Sequence, residues 1–299
     1  MFRRRMRIPA PPGAGLIKIA DPRLARLGWL VFIGGVLVIG GALWPFGLGA
    51  QVGRMRREFV ALNYVRAAQA KSEGNPVRCE EALADLARAT ALAPNHPLVS
   101  ENAAQLYVNL RAYKEALPWL RRQQGQSLLT RVSLAQSLLM AGSRQEGANL
   151  LEQVTQEMNR ARRANQMPSQ LYALMLNNIG YVRAVADLDV PQGRSLVDAA
   201  VNMEPQQAAY VDSMGWVEYK LGNFSAAAFY LERAVRLHLP AESAEMYYHL
   251  GAAYARLGRK PTARLVLGRA LALDPSYEEA RDELKLLSQD LPQPALACL

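Results

Sequence analysis

Three prolines, Pro205, Pro240 and Pro275, stand 35 residues apart, and the two stretches they bound share an internal pattern. Proline has no backbone N–H to donate and biases the residue before it away from the helical region, so each ends a helix at the same point of a repeating unit. In the last unit Tyr247, Leu250, Gly251 and Tyr254 precede Ala263, Leu267, Ala270 and Pro275. Gly251 and Ala263 are small where two helices would approach most closely, and Leu250, Tyr254 and Leu267 supply the bulk around that contact. A single helix pair cannot bury its apolar face alone, so the pattern implies a stack of such pairs.

The spacing of Tyr247, Leu250, Gly251 and Tyr254 is that of W-x2-L-G-x2-Y with Tyr in the Trp slot, and the whole unit resembles a tetratricopeptide repeat, a helix-turn-helix of about 34 residues. Weaker copies precede it. The fifth unit has Met214 and Gly215, then Ala227, Leu231 and Ala234; the fourth has Leu176, Ile179 and Gly180, then Gly193, Val197 and Ala200, with one extra residue near Asp187 to Pro191. The third has Leu134, Ala135 and Leu138, then Gly147, Leu151 and Val154; the second has Ala103, Ala104 and Tyr107, then Ala116 and Leu120. The first keeps only its second half, Ala82, Leu86, Ala89 and Pro94. The resemblance therefore implies an all-α, right-handed solenoid of about six helix pairs over residues 51–290. The units lie near 61–94, 97–127, 128–161, 173–207, 208–243 and 244–277. Past Leu151 strong helix formers continue to Gln166, so the second helix of the third unit is expected to overshoot. Ser276 and Glu279 are spaced as a capping box that opens a closing helix over 276–289.

The N-terminal 50 residues differ in kind. Arg3, Arg4, Arg5 and Arg7 are followed by Pro9, Pro11, Pro12 and Gly13, which predicts a basic mobile arm over 1–20. Asp21-Pro22 is a helix start. Leu27 to Ala50 then runs for 24 residues without a charge, enough for a helix to cross a hydrocarbon core of about 30 Å. Residues 21–50 are accordingly read as a transmembrane anchor, with Trp29 at one interface and Trp44 at the other. A cleaved signal peptide is the rival; its apolar region is usually about 7 to 15 residues, and this one is longer. The excess of basic residues before the span favours a cytoplasmic N-terminus and an extracytoplasmic solenoid, although Arg54, Arg56 and Arg57 follow the span closely. Gly28, Gly35, Ala42 and Gly49 recur every seven residues, so either another membrane helix packs along that stripe or it faces lipid. Residues 291–299, with Pro292 and Pro294, read as a disordered tail.

The formal charge of +9 belongs mostly to the arm: residues 1–26 carry +6 and the 249 residues after Ala50 only +3. Such a distribution does not suggest a nucleic-acid surface, which shows as a basic face on a folded domain. Cys79 and Cys298 lie at opposite ends of the chain's repeats, so no disulfide framework is indicated. His96, His238 and His249 fall in different units with no ligand at metal spacing, and there is no phosphate loop, nucleophile elbow or H-E-x-x-H. No cofactor, metal or catalytic residue is expected.

What remains is a surface. The resemblance implies that the first helix of each unit lines a concave face that binds a peptide or helix of a protein partner. The residues so placed are Glu101, Gln105 and Asn109; Gln136; Asn177 and Tyr181; Asp212, Trp216, Tyr219 and Lys220; and Tyr248 and Arg256. Their aromatic and Arg content is that of binding hot spots, though Trp216 and Tyr219 suit packing against the next unit equally well. The Lys–Asn pair with which some tetratricopeptide domains grip a carboxylate is absent. Beyond the groove partner, the expected neighbours are membrane lipid and the subunits of a membrane complex.

Overall fold

The computed structural model describes residues 48–123, 125 and 127–289. The expected basic arm, the charge-free span up to Gly47 with Gly28, Gly35 and Ala42, Cys298 and the expected C-terminal tail lie outside them. Within them there are thirteen helices and no strand. They run as α1 (Leu48–Ser72), α2 (Cys79–Leu92), α3 (Pro97–Asn109), α4 (Tyr113–Gln123), α5 (Leu128–Met140), α6 (Arg144–Arg163) and α7 (Ser169–Val185). The series continues with α8 (Val190–Met203), α9 (Ala208–Lys220), α10 (Phe224–His238), α11 (Ala244–Arg256), α12 (Lys260–Leu273) and α13 (Glu278–Gln289). That is six packed pairs and a closing helix. No described helix is long and apolar enough to cross a membrane. Helix α1 begins at Leu48, inside the expected span, and the exposed Gly49 sits in its first turn.

The crossings explain the small residues. A Cβ on Gly251 would lie 2.6 Å from Leu267 Cγ, and one on Gly215 would lie 2.5 Å from Leu231 Cγ. In the fourth unit Gly180 and Gly193 face one another, each with its absent Cβ under 3 Å from the other's carbonyl oxygen. At the same slot the first three units have Ala68, Ala104 and Ala135, all buried. Four residues past the second small position stand Leu86, Leu120, Leu151, Val197, Leu231 and Leu267, each fully or almost fully buried.

The turn inside the unit is shared by the second to the sixth units. The residue in the left-handed region is Gly142, Gly222 or Gly258 in three units, Arg111 in the second and Asp187 in the fourth. In each, the next N–H reaches back to a carbonyl five residues earlier, as Ala112 does to Tyr107 and Asn223 to Glu218, which closes the helix end. The extra residue of the fourth unit is absorbed here. Asp189 caps α8 by accepting from the Gln192 N–H, and Arg144 donates to the carbonyls of Ala186 and Asp187. The overshoot of α6 is present, ending at Asn165 in the left-handed region.

One expectation fails locally. Ser276 does not form a capping box with Glu279: its N–H and hydroxyl both turn back to Asp274 Oδ1, at 2.9 and 2.6 Å, and α13 starts only at Glu278. The nearer carboxylate takes the serine, and Glu279 is left to pair elsewhere.

The first helices form an inner row in which α7, α9, α11 and α13 touch in succession. The curvature brings the ends of the array together. Val77 N–H donates to the Leu273 carbonyl at 2.7 Å, and Cys79 Sγ lies 3.7 Å from both carboxylate oxygens of Asp274. Cys79 is thus at the meeting point of the first and last units, and the described array is a closed ring.

Candidate interior binding face

The inner row carries a connected aromatic group. Trp216 on α9 is stacked between Tyr219, one turn along the same helix with ring centroids 4.6 Å apart, and His249 on α11, at 4.1 Å. Tyr248 lies 5.6 Å from Trp216 and 5.1 Å from Tyr277. Tyr181 on α7 donates to Glu245 on α11 at 2.6 Å, a bond that skips the unit between them. Rings at these separations attract through offset stacking or edge contacts and fix one another's orientation.

Under the stack lies a buried pair. Asp212 Oδ2 is 3.0 Å from His249 Nδ1, and both residues are nearly inaccessible. Burial opposes a charge on His249, but the Asp212 carboxylate outweighs it through its charge and hydrogen bond, so the imidazole's pKa sits above the ordinary 6.5. Burial, aided by the nearby carboxylates, lifts the Tyr181, Tyr248 and Tyr277 hydroxyls above the usual tyrosine range, so all three remain protonated. Neutral hydroxyls and a paired imidazole make this a face of hydrogen-bond donors and ring surfaces.

The sequence-derived residues divide by what they touch. Asn177, Asp212 and Trp216 are buried, Trp216 retaining only 9% exposure. Trp216 and Asp212 hold two units together through His249, whereas Asn177 Nδ2 donates to Asn178 on its own helix. Lys220 pairs with Asp187 of the preceding unit's turn at 2.7 Å. Tyr181, Tyr219 and Tyr248 are half-buried, and Arg256 is exposed, its guanidinium donating to the Tyr219 hydroxyl at 3.1 Å. Toward the other side of the ring Gln136 lies near the Tyr113 hydroxyl, while Glu101, Gln105 and Asn109 are exposed, Gln105 donating to Asn109.

Sequence reasoning missed Arg111, Glu245, His249 and Tyr277 as members of this face. His249 stands one residue after a groove slot, and its partner Asp212 is in the preceding unit; a buried His beside the Leu-Gly pair and an Asp one repeat earlier was the available signal. Arg111 carried a different one, a charged residue where other units have glycine. Among the described residues no group of three or more His, Cys, Asp or Glu is placed to hold a metal ion.

Residues 213–278 match the family model described as the tetratricopeptide repeat. A TPR repeat-containing protein of Pseudomonas aeruginosa is 34% identical over 79 residues, which is 26% of this chain and only 13% of that relative's length. Among solved structures, a tetratricopeptide repeat protein from Parabacteroides merdae superposes with a TM-score of 0.58 at 13% identity, covering 89% of this chain and 97% of that one. NprR, solved in complex with its cognate peptide NprX, gives 0.51 at 11% identity over 90% and 84% of the two chains. At such identities the likeness is one of fold.

Proposed function

We propose that this chain, built as a tetratricopeptide-repeat array, is a non-catalytic scaffold that holds a segment of a protein partner against the inner face of the ring. The observation that carries the reading is the half-buried aromatic ladder of Tyr181, Tyr219 and Tyr248 with the exposed Arg256 at its rim. Rigid rings beside an arginine offer contact area at little cost in side-chain entropy, the composition of binding hot spots. NprR, whose fold the array shares, was solved with a peptide, which is consistent with an inner face of this kind receiving an extended segment.

The reading extends to location. The 24 uncharged residues from Leu27 to Ala50 anchor the chain in a membrane as a single span, with the N-terminal arm in the cytoplasm and the array on the other side. The array then presents its partner close to the lipid surface. A structural subunit held in a membrane complex through Gly28, Gly35, Ala42 and Gly49 is the second reading, favoured by their seven-residue recurrence.

The test places a photo-crosslinking amino acid at Tyr219 or Arg256, and at Arg236 on the second helix of the fifth unit as an outer control. A discrete adduct from the first two sites and none from Arg236 supports the inner face. Equal adducts from all three, or none from the inner sites, removes it. For location, Cys79→Ser leaves Cys298 as the sole thiol; its labelling by an impermeant reagent in cells stripped of any outer barrier supports the extracytoplasmic array, and labelling only after lysis reverses it.

A further inference from the structure

The seam where the ring closes differs in chemistry from every other joint in the array. Apolar clusters bridge the successive units: one runs from Ala61 to Leu138, a second from Val132 to Val217, a third from Ala227 to Ala253 and a fourth from Ala263 to Leu287. None of these clusters joins the first two units to the last. What spans the seam is polar: the Val77–Leu273 backbone bond, the Cys79–Asp274 contact and the side chain of Arg111. The Arg111 guanidinium lies 3.7 Å from the centroid of the Tyr277 ring, donates to Glu279 at 2.8 Å, and sits 3.8 Å from Asp274.

Arg111 stands where three other units have glycine, with φ at +59°. That backbone region disfavours a side chain, so local conformation does not select arginine there. Its reach across the seam does. The Arg111 and Glu279 side chains are 30% and 54% exposed, which leaves their attraction open to screening by salt.

We propose that the seam is a clasp: the ring opens between its ends, with Arg111 as the releasing contact, and so admits a partner segment to the inner face. The opening itself stands on the seam alone, whereas the admission of a partner rests on the binding reading above. The Tyr181–Glu245 bond and the Tyr248–Tyr277 contact tie the inner face of the last three units and the closing helix together, so parting the ends separates Tyr277 from Arg111 and opens a side entrance to that face while leaving the apolar joints intact.

The experiment measures distances between spin labels in the full-length protein with Cys79→Ser and Cys298→Ser. One pair, Glu80→Cys with Glu278→Cys, spans the seam; a reference pair, Gln206→Cys with Arg236→Cys, spans the joint of the fourth and fifth units. Arg111→Gly supplies the residue the turn prefers while removing the clasp, so the fold is expected to survive, as far-ultraviolet circular dichroism will report. At low salt the seam pair should show a single short distance. In Arg111→Gly, or in 1 M salt where the Debye length is about 3 Å, a longer component should appear, with the open fraction rising at least about tenfold while the reference pair is unchanged. A seam distance that stays single and short under both conditions overturns the clasp, as does equal broadening of the reference pair. If Arg111→Gly loses helix content, the salt series on the parent chain decides between these outcomes. Because no partner is present, a failed clasp leaves the crosslinking test of the inner face independent.

Discussion

The first three units and the last three solve the same packing problem with different residues. At the crossing slot of the first helix the early units place Ala68, Ala104 and Ala135, and the later ones Gly180, Gly215 and Gly251. Both choices leave room for the second helix, but they divide the work differently. In the later units the facing leucine reaches into the space of a missing Cβ: Leu231 Cγ and Leu267 Cγ lie within 2.6 Å of where it would be. With alanine the backbones stand off by a methyl group and the facing helix supplies the adjustment, as Gly147 does opposite Ala135, where an added Cβ would be 2.9 Å from the Ala135 carbonyl. The difference teaches that the fold requires a small total volume at the crossing, shared between two helices, rather than glycine at one position.

The largest effect that probes this comparison is truncation of the facing leucine. Leu86→Ala and Leu231→Ala each remove a fully buried side chain, a change that costs about 2–5 kcal/mol. Leu231→Ala is expected to be the more damaging, because glycine at 215 offers no atoms to fill the cavity, whereas the Ala68 methyl remains beside Leu86's site. Equilibrium urea unfolding of both variants gives the order, and a larger loss from Leu86→Ala would break the comparison.

The reverse change at the crossing is next in size. Gly251→Ala places a Cβ against Leu267 and should cost ~1–3 kcal/mol by overpacking. Ala104→Gly, at the same slot of the second unit, removes a methyl and loosens the helix backbone, for about 1 kcal/mol. Thermal melts of the two variants should therefore both fall, with Gly251→Ala the lower; an unchanged melt for Gly251→Ala would mean that Leu267 simply moves aside.

A third difference lies between units rather than within them. The joint of the fifth and sixth units contains the buried Asp212–His249 pair, and no such pair occupies the corresponding early joints among the described residues. His249 faces Asp212 and Trp216 from α9, Tyr181 from α7, Glu245 and Tyr248 on its own helix, and the charge of Arg111 farther off. Its pKa is raised in the folded state, so the pair's contribution is fully present below about 6.5 and is lost as pH rises through the higher folded value. Asp212→Asn should thus lower stability most near pH 6, by ~1–3 kcal/mol, with the gap to the parent chain narrowing toward pH 9. A gap that stays constant between pH 6 and pH 9 would show that the imidazole is held neutral.

These regions also differ in how much of them the sequence disclosed. Gly251, Leu267 and Pro275 are legible because glycine and proline are rare inside helices and carry one physical meaning each. Ala68, Ala104 and Ala116 do the same work but look like any helical alanine, so the early units were visible only through their order and spacing. The inner face was legible in part: position along the first helix placed Tyr181, Tyr219 and Tyr248 in the inner row and left Trp216 open between the groove and the next unit, but gave no sign that Asp212 would be consumed between units, because that depends on how far one unit rotates on the next. Closure of the ring was not legible at all. It accumulates from five small rotations and joins Val77 to Leu273, partners separated by most of the array.

The smallest effect separates glycine at the crossing from glycine elsewhere in the same half. Gly268 lies in the middle of α12, one residue past the fully buried Leu267, and a Cβ built on it meets nothing within 4 Å. Here glycine serves no close approach and only leaves the unfolded chain more freedom to lose, so Gly268→Ala should stabilise by about 0.5–1 kcal/mol. Set beside Gly251→Ala, in the same unit and with the same added methyl, the two variants should shift the urea midpoint in opposite directions. If both destabilise, α12 approaches some surface at Gly268 that the ring itself does not supply; if both stabilise, the crossing at Gly251 has more slack than its 2.6 Å approach to Leu267 implies.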